Sequence, residues 1–170
     1  MKKNREYLYD LIRTGFGNNP EQTDEFINKF NLSDCAYIDE FNTSLLQKSI
    51  SSEKYDIANF LIKQKCNLDN QDDRGYTALH YILASKDKQD YELIDNLLEQ
   101  NPELELKDYE YGNTPLIEAV MNAKIPLSIL EQLLKKGANP HHENKSKMSP
   151  YKLVLRYNIK ELLDLFSPYL

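Results

Sequence analysis

Chemistry in this chain would have to come from three histidines, two cysteines and 27 carboxylates. His141, His142 and Glu143 are adjacent, and His and Glu are metal ligands. Side chains of neighbours on a turn diverge, and no cysteine or third histidine joins them. The stretch therefore reads as a solvated hairpin. No Gly-rich phosphate loop, Cys-x-x-Cys pair or His-Glu-x-x-His helix occurs. The carboxylates are scattered, with no pair set apart by apolar neighbours. Catalysis, a metal and a cofactor are all unexpected, which leaves the surface as the place where function would sit.

The elements that must carry such a surface recur along the chain. Gly112-Asn113-Thr114-Pro115-Leu116 is matched by Gly75-Tyr76-Thr77-Ala78-Leu79-His80. Weaker copies are Phe41-Asn42-Thr43-Ser44-Leu45 and Lys147-Met148-Ser149-Pro150-Tyr151. The frame starts at 41, 75, 112 and 147, giving steps of 34, 37 and 35 residues. Thr at a helix start can cap free backbone N–H groups, and Pro at the first helical position has no N–H to leave unpaired. An apolar pair follows each of the first three frames, at Phe60-Leu61, Leu97-Leu98 and Leu133-Leu134. Then comes a turn, best formed in Leu133-Leu134-Lys135-Lys136-Gly137-Ala138-Asn139-Pro140. Gly and Asn tolerate the left-handed backbone that ends a helix, whereas Lys65, at the same place in the first copy, does so less readily. The longer steps imply insertions at Lys86–Asp90 and Ala123–Pro126, each between the two helices of a unit.

Over residues 39–170 these features resemble ankyrin repeats, whose period is 33 residues. The resemblance implies an all-α solenoid of about four to five stacked helix-turn-helix units with hairpin loops and end caps. Short helix pairs bury their apolar faces only against neighbours, so several units must stack. One domain is expected over 1–170. Residues 1–38 would be a divergent N-terminal cap pair, 39–74, 75–111 and 112–146 repeats, and 147–170 a C-terminal capping repeat. At the family's Thr-Pro-Leu-His position, His80 is expected to hydrogen-bond between neighbouring units.

The resemblance also implies a binding surface, a concave face lined by the hairpin tips and the first helix of each unit. Carried across position by position, the partner-binding candidates are Asp39, Glu40 and Asn42; Asp72, Asp73 and Tyr76; Tyr109, Glu110, Tyr111 and Asn113; and Met121 and Asn122. Residues 31–112 hold 17 acidic and 8 basic side chains, and the rest of the chain 10 and 13, within a net charge of −6. A concentrated acidic face speeds encounter with a basic partner and disfavours nucleic acid. The bland alternative is that Asp and Glu merely solvate the turns.

The expected role is non-catalytic binding of a basic protein by a chain that is a monomer when unbound. Small acidic ankyrin-like proteins also resemble bacterial immunity proteins, antitoxins that neutralise a toxin. A general adaptor or effector that binds a cellular or host protein is the alternative. No run approaches the ~20 apolar residues of a membrane span, and the basic start leads into no apolar signal core. A cytoplasmic location is expected, and with it free thiols at Cys35 and Cys66.

Overall fold

The computed structural model describes residues 2–15, 17–85 and 90–169. Ten α-helices form among them: α1 (Lys2–Arg13), α2 (Pro20–Lys29), α3 (Leu45–Ser51), α4 (Tyr55–Lys63), α5 (Ala78–Ala84), α6 (Tyr91–Glu99), α7 (Pro115–Met121), α8 (Leu127–Lys135), α9 (Pro150–Tyr157) and α10 (Lys160–Phe166). Consecutive helices pair. The odd-numbered ones stack in one row and the even-numbered ones in a second. A continuous apolar core runs between the rows from Leu8 in the first pair to Phe166 in the last. Each helix is too short to be stable alone, so burial against the next unit is what holds it. Among the described residues no strand forms, and the architecture is an all-α repeat solenoid.

The helix starts follow from the frame residues. Ser44, Thr77, Thr114 and Ser149 are the N-caps of α3, α5, α7 and α9. Three of them accept a hydrogen bond from the N–H three residues on, whereas Thr114 makes no such bond. The structure also moves the first frame by one residue. Asn42, not Phe41, occupies the left-handed position held by Gly75, Gly112 and Lys147. The steps then become 33, 37 and 35 residues. The expectation missed this because Asn substitutes for Gly at a positive φ.

Of the expected insertions, the one before α8 is present as residues 122–126. Residues 86–89 of the other lie outside the described residues. Lys65, Asn101 and Gly137 all adopt the left-handed conformation after their outer helices.

The cap pair α1–α2 is tied to the first repeat in several places. Phe26, Phe30 and Phe60 form an aromatic cluster. Lys54 of the repeat donates to Gln22 Oε1 at 2.7 Å, and within the cap Arg5 reaches the buried Asp34 at 3.1 Å. Cys35 and Cys66 are joined as a disulfide, which corrects the expectation of free thiols. Cys35 sits on a 3-10 turn, Leu32–Ala36, and Cys66 just past α4. Thirty-one residues separate them in sequence, and only the docking of the cap on α4 brings their Cα atoms to 4.9 Å.

Candidate partner-binding face

The hairpin tips are shaped by carboxylates and amides that fold their own loops. Asp39 Oδ1 accepts the N–H groups of Phe41 and Thr43. Asp72 Oδ1 accepts those of Arg74 and Tyr76. Asp108 accepts three, from Glu110, Tyr111 and Asn113, and Asn144 repeats the pattern with Ser146 and Met148. Such side-chain turns are the reason Asp and Asn favour these positions. A backbone hydrogen bond then links each tip to the next: Asp73 N to Phe41 O, Tyr109 N to Arg74 O, and Lys145 N to Tyr111 O. The tips thus form a connected row. Gly75 is required there twice over, by its φ of +80° and because an added Cβ would stand 2.7 Å from Tyr109 N.

The structure sorts the candidate residues into two groups. Glu40, Asn42, Asp73, Tyr109, Glu110, Tyr111 and Met121 are exposed, and Asp39 and Tyr76 are half-buried. Asp72, Asn113 and Asn122 are buried, which corrects their expected place on the open face. Asp72 holds a tip. Asn113 bonds Glu118 and Asn144. Asn122 donates to the carbonyls of Leu83 and Ser85 at 2.8 and 2.7 Å, closing the end of α5 from the neighbouring unit. The exposed aromatics are the more informative set. Phe41, Tyr109 and Tyr111 are each more than half exposed although large and apolar.

A groove of about 750 Å³ opens between the cap, the inner helices and the first two tips. Tyr9, Tyr37 and Tyr81 line it, with Arg13, Lys48 and Arg74. Tyr9 and Tyr37 pack at 5.8 Å between ring centroids. Tyr9 donates to Asp39 Oδ2 at 2.5 Å and Tyr81 to Asp72 Oδ2 at 2.7 Å. The Arg74 guanidinium lies 4.9 Å from the Tyr76 ring and 5.3 Å from that of Tyr81.

Burial pushes the Tyr81 and Tyr76 phenols up to about 12. Nearby carboxylates add to it, Asp72 for Tyr81 and Glu118, Asp108 and Glu110 for Tyr76. Tyr37 is raised by burial and then by Asp39, Glu6, Asp10 and Glu40. Burial is the larger cause in each case, and Arg74 opposes the shift at Tyr76 and Tyr81.

Sequence reasoning missed Tyr9, Tyr37, Lys48 and Tyr81. Lys48 and Tyr81 are the fourth residues of α3 and α5, a repeat position that the one-residue frame error concealed in the first unit. His141 and Glu143 are exposed, as expected of a solvated turn, and His142 is half-buried. His142 Nδ1 lies 2.8 Å from Glu105 Oε2 of the preceding unit, and His141 packs on Tyr151. No cluster of three or more His, Cys, Asp or Glu that could hold a metal ion occurs among the described residues. Nor is any helix among them long and apolar enough to cross a membrane.

Two comparisons of the sequence agree with the repeat architecture. A family model described as ankyrin repeats, in three copies, matches residues 46–144. A curated protein of Rickettsia bellii (strain RML369-C), described as an ankyrin repeat protein, is 36% identical over 104 residues. The match covers 59% of this chain and 29% of that protein, so the chain spans under a third of this relative's length.

Proposed function

The chain belongs to the ankyrin repeat family, a family of protein-interaction modules, and from that premise we propose that it binds a basic protein without catalysing a reaction. The observation that carries this reading is the connected row of tips, which presents exposed Phe41, Tyr109 and Tyr111 beside exposed Glu40, Asp73 and Glu110. Large apolar rings exposed on a hydrogen-bonded row give contact area at little entropic cost. The acids beside them set the sign of the partner and its rate of approach. They also disfavour nucleic acid.

A narrower form of the reading is a bacterial immunity protein that covers a basic toxin. The broader alternative is an adaptor or effector for a cellular or host protein. The two share a surface and differ in who encodes the partner. The compartment bears on both. A cytoplasmic chain would be expected to have its Cys35–Cys66 bond opened by the reducing pool, so thiol trapping in intact cells tests that placement.

The test of binding is retention of partners from native lysate by tagged wild-type protein and by an Asp73→Lys/Glu110→Lys variant, at low and raised salt. A basic protein held by the wild type at low salt and lost from the variant is expected. Equal retention by both would reduce the acidic tips to solvated turns. Asp72 is unsuited to charge reversal, because its carboxylate folds the second tip.

A further inference from the structure

The groove beside the first two tips contains both committed and available charged groups, and hydrogen-bond accounting separates them. Asp39 is used on both oxygens, by Phe41, Thr43 and Tyr9. Asp72 is used by Arg74, Tyr76 and Tyr81. Arg13 binds Asp10 through two nitrogens at 3.2 Å. Arg74 donates to Tyr81 at 2.6 Å and pairs with Asp72 at 3.5 Å. Among the described residues, Lys48 is the lining cation with no carboxylate at ion-pair distance. Its ammonium lies 5.6 Å from the centroid of the Tyr9 ring. The carboxylates with acceptor capacity left are on the exposed tips: Glu40, and Asp73, whose Oδ1 alone is taken, by Asn42.

We propose that this groove takes an extended segment of the protein partner in which one Asp or Glu side chain reaches Lys48 while adjacent Lys or Arg residues meet Glu40 and Asp73. This rests on the protein-binding reading above and names the chemistry of what enters the groove. A lysine has three donors and no acceptor, so an anion satisfies it. The anchor's methylenes pack between the rings of Tyr9 and Tyr37 on one side and Tyr81 on the other. An acidic residue without basic neighbours is disfavoured by the surrounding carboxylates, so the segment is basic on balance with one acid in it. A phosphate would bring roughly two charges against those same carboxylates with one uncommitted cation to meet them.

The test is selection of random peptides displayed on phage against the full chain with its disulfide intact. It is followed by affinity measurements on the selected peptides. The expected consensus is an Asp or Glu with Lys or Arg one or two residues away. Replacing the acid by its amide should weaken binding about tenfold, the loss expected for one charge-assisted hydrogen bond. Lys48→Met should weaken the acidic peptide by the same factor and leave the amide peptide unchanged. Lys48→Arg should restore most of the loss. Lys48 is only half-buried, so both variants are expected to fold, which thermal unfolding checks.

Peptides that bind with no acidic preference, and that Lys48→Met does not affect while Asp73→Lys does, would overturn the Lys48 anchor and leave the acidic-face reading standing. Stronger binding of a phosphoserine version would overturn the carboxylate in favour of a phosphate. Peptides that bind the Lys48→Met and Asp73→Lys variants as tightly as the wild type would overturn both the anchor and the face.

Discussion

His80 Nε2 lies 3.2 Å from the carbonyl oxygen of Asn113, one unit further along the stack. Gln47 makes the equivalent contact, with Nε2 donating to the carbonyl of Tyr76 at 2.6 Å. Both side chains occupy the third position of an inner helix and turn back to their own N-cap residue, His80 through Nδ1 to Thr77 and Gln47 through Oε1 to the Ser44 N–H. Tyr76 and Asn113 each follow the left-handed residue of their hairpin. One polar side chain per unit thus ties cap, helix and next hairpin. In α7 the position is Ile117, and the device stops.

The histidine gives the fold a pH dependence. Burial lowers the His80 pKa below its ordinary 6.5, with the Asn113 carbonyl and Asp108 opposing the shift. The unfolded chain therefore takes up the proton first as pH falls. Stability from this group is complete above about pH 6.5 and is lost as pH falls from there to the folded pKa, by up to ~1.4 kcal/mol per unit. His80→Gln borrows the side chain of Gln47 and should remove this contribution at a neutral-pH cost within ~1 kcal/mol. Urea unfolding of both proteins at pH 7.5 and 5.5 measures the difference, and parallel pH profiles would rule the mechanism out.

Thr114 Oγ1 is buried with no hydrogen-bond partner among the described residues. Thr114→Val removes an unsatisfied hydroxyl and should be neutral or stabilising by up to ~1 kcal/mol. Thr77→Val deletes the hydroxyl that accepts the His80 N–H and contacts its ring, and should cost ~1–2 kcal/mol. Denaturant midpoints for the two variants decide; the opposite ranking would refute the assignment.

Left-handed positions held by lysine leave room for improvement. Lys65, at φ 59°, takes the place that Gly137 takes after α8. Lys65→Gly should stabilise by about 1 kcal/mol, the steric penalty of a Cβ at that φ. Gly75→Ala should destabilise by more than ~2 kcal/mol, since the methyl meets Tyr109 N and Lys107 O within 3 Å. Calorimetry on both substitutions tests the pair, and a tolerated alanine at 75 would contradict the close approach of the tips.

The Cys35–Cys66 bond closes a loop of about 30 residues, for which the chain-entropy model gives roughly 3–4 kcal/mol. Dithiothreitol should therefore lower the melting temperature by about 10 °C and loosen the cap first. Mass spectrometry of alkylated, unreduced protein should find no free thiol. Two alkylated cysteines in folded, air-oxidised protein would contradict the pairing.

Much of this architecture was legible in the chain because it is local. Capping by Thr77 and Ser149, the left-handed turns at Asn101 and Gly137, and the apolar pairs of the outer helices depend on a few adjacent residues repeated at a near-constant step, whereas the cap of the first unit fell on Ser44, one residue beyond the expected Thr43. The inter-unit bond of His80 was expected from the resemblance to the family, which carries a histidine at that position. The acidity of the tips could be counted directly, but its use could not. Asp72 and Asp108 are buried by the loops they fold, and Asn122 by a helix end 37 to 39 residues earlier. Only the stacked units decided which acids remain open. Stacking likewise decided that Cys35 meets Cys66, and that Tyr9 from the cap, Lys48 from one repeat and Tyr81 from the next line one groove. Those residues share no sequence neighbourhood, and burying the helices against one another is the force that brings them together.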